Sequence, residues 1–167
     1  MRRRCFARTM VFAVLAALAA FFTVPQVRAQ FSSGASSASA FSIPQSQLIQ
    51  AAALNQLLQG PAAAKPLVLQ VGSRLLFSEA HIAGSQYAGP GATASGLQLL
   101  DSKVASSAKN RFIVIYCGCC PWNHCPNVGP AYKHLRDLGF TNVKVLYMAN
   151  NFGDDWVNKG YHVEQGQ

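Results

Sequence analysis

The sequence predicts an α/β domain, a central mostly parallel sheet with helices on both faces, and three observations lead there. Residues 112–116 (FIVIY) are β-branched or aromatic throughout, which suits a strand. Two more apolar runs of strand length occur at 67–71 (LVLQV) and 142–147 (NVKVLY). Around them lie segments with apolar residues at helical spacing that stop at glycine, and strands alternating with helices imply parallel pairing through crossovers.

Taken in order, residues 44–58 (PQSQLIQAAALNQLL) bring Leu48, Ile49, Ala52, Ala53 and Leu57 near one helical face, and Gly60-Pro61 stops the helix. The nearly continuous apolar run 67–71 reads as a strand buried on both faces. A short helix is expected at 74–80, then a loop over 81–91, which holds three glycines and Pro90. Residues 96–108 offer Leu97, Leu99, Leu100 and Val104 as the core face of a helix. After the strand 112–116 and a cysteine-rich loop, a helix runs from Gly129-Pro130 to 138, where Gly139 ends it. The strand 142–147 and a short helix at 154–159 complete the pattern, with Trp156 expected in the core.

The ends are of another kind. A basic start, an uncharged apolar run over 10–24 and the small-residue close Val27-Arg28-Ala29 have the layout of a secretory signal peptide cleaved after Ala29. The run is short of the roughly 20 residues a membrane span needs, so no stable membrane anchor is expected after cleavage. Residues 30–43 (QFSSGASSASAFSI) carry no charge and little to bury, as expected of a disordered spacer, which leaves 44–167 as one domain. The formal charge of +8 falls with the leader, since nine basic residues against six acidic remain, a net +3. With no clustered Lys/Arg face interleaved with aromatics, nucleic acid is not an expected partner.

Cys5 belongs to the leader, and the other four cysteines, Cys117, Cys119, Cys120 and Cys125, fall within nine residues. Disulfides that stabilise small exported domains close long loops, because that removes more entropy from the unfolded chain. Four thiols in one loop join nothing remote, so they point to chemistry at the loop: sulfur transfer, redox or metal binding. Ligands of parallel α/β sheets sit beyond the carboxyl ends of the strands, and Cys117 is the first residue after the strongest strand.

In chain order, the strand 67–71, His81-Ile82-Ala83-Gly84-Ser85, Tyr116-Cys117, Leu138-Gly139-Phe140, Asn142-Val143-Lys144-Val145-Leu146 and the stretch from Trp156 to Tyr161-His162-Val163 form a fixed series of landmarks. Together they resemble the rhodanese (sulfurtransferase) family over roughly residues 48–164, which implies the rhodanese-like three-layer fold. In that family the cysteine after the strand takes a sulfane sulfur from a donor such as thiosulfate, becomes a persulfide, and passes the sulfur to a nucleophile. The resemblance therefore nominates Cys117. It also makes His81 and Gly84 structural, the histidine packing and hydrogen-bonding to backbone. The sequence departs from the family in three places. Gln70 and Gly72 stand where the family has Asp-x-Arg, with Arg74 the nearest cation. The loop is about five residues longer and carries Pro121 and Pro126, which have no N–H to offer an anion. No arginine lies between Cys117 and Tyr132, which also argues against the phosphatase relatives of the fold.

Cys117 is thus the candidate catalytic thiol, the alternative being a small residue that closes a strand. Cys119, Cys120 and Cys125 have three readings: resolving or redox partners, soft-metal ligands together with His124, or structural disulfides. Gly118, Trp122, His124 and Asn127 are expected to line the loop and its substrate, Trp122 either as a lid or as an anchor. The spacing C-x-C-C-x4-C fits no standard zinc pattern, and adjacent Cys119 and Cys120 strain any single tetrahedral site, so no resident metal or cofactor is expected. The expected function is a periplasmic or secreted sulfurtransferase or thiol-redox enzyme with a thiosulfate or persulfide donor. Its expected partners are a small sulfur-containing anion or thiol and a periplasmic thiol reductant. The alternatives are a copper- or zinc-binding module using this loop and a catalytically inactive rhodanese-like scaffold.

Overall fold

The computed structural model describes residues 42–166. The predicted leader lies outside them, as does the predicted spacer apart from its last two residues. Of those two, Ile43 is buried against the domain core, so packing begins one residue before the expected boundary. Among the described residues no helix is long and apolar enough to cross a membrane.

The elements run β1 (Leu48–Gln50), α1 (Ala51–Gln59), β2 (Leu67–Gln70), α2 (Arg74–Glu79), β3 (His81–Ile82), β4 (Gln86–Tyr87), α3 (Ala94–Val104), β5 (Ile113–Tyr116), α4 (Val128–Asp137), β6 (Val143–Tyr147), α5 (Phe152–Asp155) and β7 (Val163–Glu164). Five strands form one parallel sheet in the order β1-β6-β5-β2-β4, and β3 pairs antiparallel with β7 in a small separate ribbon. The α/β class with a central parallel sheet is as the sequence predicts.

Three local expectations are corrected. The helix expected from residue 44 starts only at Ala51. Before it come a 3-10 turn at Gln45–Gln47 and strand β1, whose Leu48, Ile49 and Gln50 pair with Val145, Leu146 and Tyr147. Ladder bonds to β6 outweigh the few tenths of a kcal/mol per residue that helix propensity offers. The expected loop over 81–91 contains β3 and β4, the latter an edge strand on β2. The closing helix divides into α5, capped by the Asn151 side chain accepting the Asp154 N–H, and a 3-10 turn at Val157–Lys159.

Strand alternation sorts the core into two layers. Leu69, Val71, Ile113, Ile115, Val143 and Val145 meet Leu100 and Val104 of α3 and Val128, Ala131, Tyr132 and Leu135 of α4. Val68, Val114, Tyr116 and Leu146 face the other way, onto Leu54 of α1, Phe152 of α5 and Trp156. Trp156 lies in the core, as expected. The same alternation carries past the end of β5: Cys117, two residues after Ile115, belongs to the α3/α4 layer.

Candidate thiol site

The site lies at the carboxyl edge of the sheet, where β5 runs into the cysteine loop. Its base is fixed by β2. The Gln70 side chain, buried at the end of that strand, donates from Nε2 to the Cys117 carbonyl at 2.8 Å and accepts the Gly72 N–H at 3.1 Å. Gly72 leaves room for the thiol, because a Cβ there would stand 2.8 Å from the Cys117 sulfur and 2.6 Å from its carbonyl oxygen. The two positions that lack the family's Asp-x-Arg side chains thus shape the bed of Cys117.

Gly118, at φ 97°, turns the chain, and its carbonyl accepts the Phe152 N–H. Further along, the Trp122 N–H donates to the Met148 carbonyl, and the Trp122 ring packs against the α3/α4 core, so this residue anchors the loop. The loop ends at Asn127, just before α4; its Oδ1 accepts the Ala92 N–H and its Nδ2 approaches the Cys117 sulfur at 3.6 Å.

The sulfurs of Cys117, Cys119 and Cys125 all lie within 4.8 Å of one another. The Cys117–Cys119 separation is 3.3 Å, and Cys120 reaches Cys119 at 3.0 Å. All four are free thiols. Cys117 is 1% exposed, Cys125 is buried, Cys120 is half-buried and Cys119 is exposed. The Cys125 thiol donates to Cys117 and, with help from Cys119 and Asn127, overcomes burial to lower the Cys117 pKa from 9.0 to about 6. The proton stays with its neighbours. Burial and the hydrogen bonds to Cys120 and Cys117 push Cys119 up to about 12, and donation to Cys117 pushes Cys125 up strongly. The cluster therefore holds one shared negative charge, centred on Cys117, at neutral pH.

A cleft of about 530 Å³ opens beside this cluster, lined by Gln70, Leu76, Glu79, Tyr116, Cys119 and Phe152 among others. Of the loop residues expected to line the substrate, Gly118 does so. Trp122 packs against the core, Asn127 touches the Cys117 sulfur, and His124 is exposed on a turn and outside the three-sulfur group. Of the soft-metal set named from the sequence, Cys119 and Cys125 lie together with Cys117, while His124 and Cys120 fall outside this three-sulfur group. Arg74 does not reach the site, its guanidinium lying 4.4 Å over the Tyr87 ring. A larger recess of about 610 Å³, lined by Lys65, Leu67, Arg111 and His162, holds no cysteine and opens near the start of β2.

His81 is buried, stacks on Phe77 at 3.8 Å, and its Nδ1 is 2.7 Å from the Phe77 carbonyl. Gly84 takes φ 74° and donates its N–H to Glu164. Both lie on the β3–β7 ribbon side, in structural positions. Two site residues escaped the sequence reading: Gln70, noted only as a departure, and Glu79. A polar side chain ending a buried strand was the available signal for Gln70.

No protein-family model and no curated protein matches this chain. Solved structures do. A crystal structure of the Alr3790 protein from Anabaena sp. is similar with a TM-score of 0.53 at 24% identity, over 71% of this chain and 92% of that one. The solution structure of the rhodanese-like domain of the same protein gives 0.51 at 23% identity, over 71% and 79%. EanB gives 0.53 at 18% identity, where the match spans 75% of this chain and 28% of that one. The chain has the rhodanese-like fold, with a cysteine-rich loop at the carboxyl edge of its parallel sheet.

Proposed function

We propose that this chain is an exported sulfurtransferase or thiol-redox protein of the rhodanese-like type, in which Cys117 is the stabilised thiolate and a second loop thiol resolves what it carries. The observation behind this reading is the close approach of three sulfurs with the charge centred on one of them. A persulfide on Cys117 would have Cys119 within 3.3 Å and Cys125 within 4.8 Å. Attack by either thiolate on the Cys117 sulfur expels hydrosulfide and leaves an internal disulfide, which a thiol reductant must reopen. The leader-like start of the sequence supports a periplasmic or secreted location, where disulfides persist. The test is the mass of the loop peptide from protein isolated without reductant. A gain of one sulfur or a loss of two hydrogens supports the proposal; a loop that stays fully reduced after incubation with polysulfide overturns it.

The same three sulfurs favour a second reading, a soft-metal site of Cys117, Cys119 and Cys125, since thiolate sets of this kind select Cu(I) or zinc. One copper or zinc per chain after anaerobic purification, lost in Cys→Ser variants, would establish it in place of the first.

A further inference from the structure

Strand alternation encloses Cys117 on one side of the sheet edge, and the turn at Gly118 brings Cys119 out on the other. Cys117 continues the series Ile113 and Ile115 into the α3/α4 layer, whereas Tyr116 faces the other layer and forms a wall of the cleft. The turn at Gly118 then carries Cys119 to that cleft beside Tyr116 and Phe152. One sulfur is enclosed, the other opens on solvent, and 3.3 Å separates them.

We propose that a low-molecular-weight organic thiol or disulfide with an apolar, non-anionic substituent occupies this cleft and exchanges first with Cys119, Cys117 completing the exchange from behind. This rests on the thiol-exchange reading above and assigns its substrate class. Access is the first reason, because a molecule larger than a few atoms cannot reach a sulfur enclosed as Cys117 is. The lining is the second: Leu76, Ala80, Tyr116, Phe152 and Val157 are apolar or aromatic, and Glu79 is the one charged side chain among the lining residues. A dianion such as thiosulfate would meet Glu79 with no cation to offset it, since Arg74 lies over Tyr87 and lines a separate recess with Lys103. A volume near 530 Å³ falls in the range of small-molecule sites.

The chemistry balances as follows. Cys119 gives its proton to the Cys117 thiolate across the 3.3 Å contact as its sulfur attacks R–S–S–R, giving Cys119–S–S–R and RS⁻, which takes that proton from Cys117 and leaves as RSH. The Cys117 thiolate then attacks the Cys119 sulfur, expels the second RS⁻ and leaves a Cys117–Cys119 disulfide. The one proton of the pair leaves with the first thiol as RSH and the second leaves as RS⁻ with the negative charge that Cys117 held, so the pair is oxidised by two electrons and the substrate disulfide is reduced. In reverse, an incoming organic thiolate attacks the exposed Cys119 sulfur and Cys117 departs as the leaving thiolate.

The experiment treats reduced wild type and the Cys117→Ser variant with the neutral aromatic disulfide dithiodipyridine and with the dicarboxylate dithiobis-nitrobenzoate, each rate being divided by that of N-acetylcysteine. Peptide mass spectrometry locates the adduct, and a thermal melt checks that each variant is folded. Cys117→Ser is expected to hold one adduct on Cys119, with the neutral reagent favoured severalfold and the preference reduced in Glu79→Gln. Wild type is expected to release two aromatic thiols and close Cys117–Cys119. An adduct on Cys120 or Cys125 in Cys117→Ser, equal normalised rates for the two reagents, or modification of Cys117 at the wild-type rate in Cys119→Ala or Cys119→Ser overturns the assignment. Inorganic polysulfide, small enough to reach Cys117, separates the levels. If it oxidises the loop while those outcomes hold, the cleft assignment alone falls; if neither polysulfide nor the disulfides modify the loop, the proposed function falls with it.

Discussion

Replacing Cys125 with alanine removes the S–H that does most to keep Cys117 ionised. The Cys117 pKa falls from 9.0 to about 6 against the opposing effect of burial, with the Cys125 thiol the largest contributor and Cys119 and Asn127 behind it. A hydrogen bond to a charged group contributes about 1.5–3 kcal/mol, and a pKa change of one corresponds to about 1.36 kcal/mol, so the midpoint should rise to roughly 7–8. At pH 7 the Cys117 thiolate then drops from about nine-tenths of molecules to between about one-half and one-tenth. The assay is thiolate ultraviolet absorbance against pH on reduced, anaerobic protein. Cys125→Ser keeps a hydroxyl donor in the same position and should leave the midpoint near that of wild type. An alanine variant that still titrates near 6, or a serine variant displaced as far as alanine, would refute the hydrogen-bond account.

Three further outcomes are expected. Gly72→Ala puts a Cβ at 2.6 Å from the Cys117 carbonyl oxygen and 2.8 Å from its sulfur; overpacking of this kind costs about 1–3 kcal/mol, seen as a Tm lower by several degrees together with a displaced thiolate titration. Gln70→Leu strips partners from the buried Cys117 carbonyl and the Gly72 N–H, and a loss of at least about 1–3 kcal/mol should appear in denaturant unfolding. The third concerns pH. Cys117 is ionised in the fold between about 6 and 9.0 but protonated in the unfolded chain, so its stabilisation is lost as pH falls through 6; Cys119, raised to about 12, stabilises below 9.0 and loses that effect as pH rises toward 12. The Tm of the reduced protein should climb from pH 6 to near 9 and fall beyond it, whereas protein oxidised at Cys117 and Cys119 should lack both limbs.

Much of the fold was legible because β2, β5 and β6 are buried on both faces and announce themselves as apolar runs. β1 was hidden, since Leu48 and Ile49 fit helical spacing as well as strand pairing and only the partner β6 decides between them. β4 is two residues long at a sheet edge, too short for any periodicity to show. At the site, the position of Cys117 was readable from the end of β5, and its burial follows from counting by twos from Ile113. What could not be read was the path of the loop. The positive φ of Gly118 sends Cys119 to the cleft, Trp122 fastens to Met148, and His124 is left outside the sulfur group. Each depends on contacts between segments remote in sequence.

The alternation along β5 also decides where this chain can change in length. One residue inserted or deleted within Ile113–Tyr116 would exchange the two sides of the sheet, turning Cys117 out of its enclosure and an aliphatic side chain into the cleft. Beyond Gly118 no such rule applies: the loop is held where Cys119 meets Cys117, at Trp122, at the buried Cys125 and at Asn127, and the exposed positions between these fastenings answer to closure entropy. Doubling a loop costs about 0.6 kcal/mol. Residues can thus be added to the surface stretches of the loop without altering the bed on which the thiolate rests, so the extra residues and the prolines they include sit where variation is cheapest.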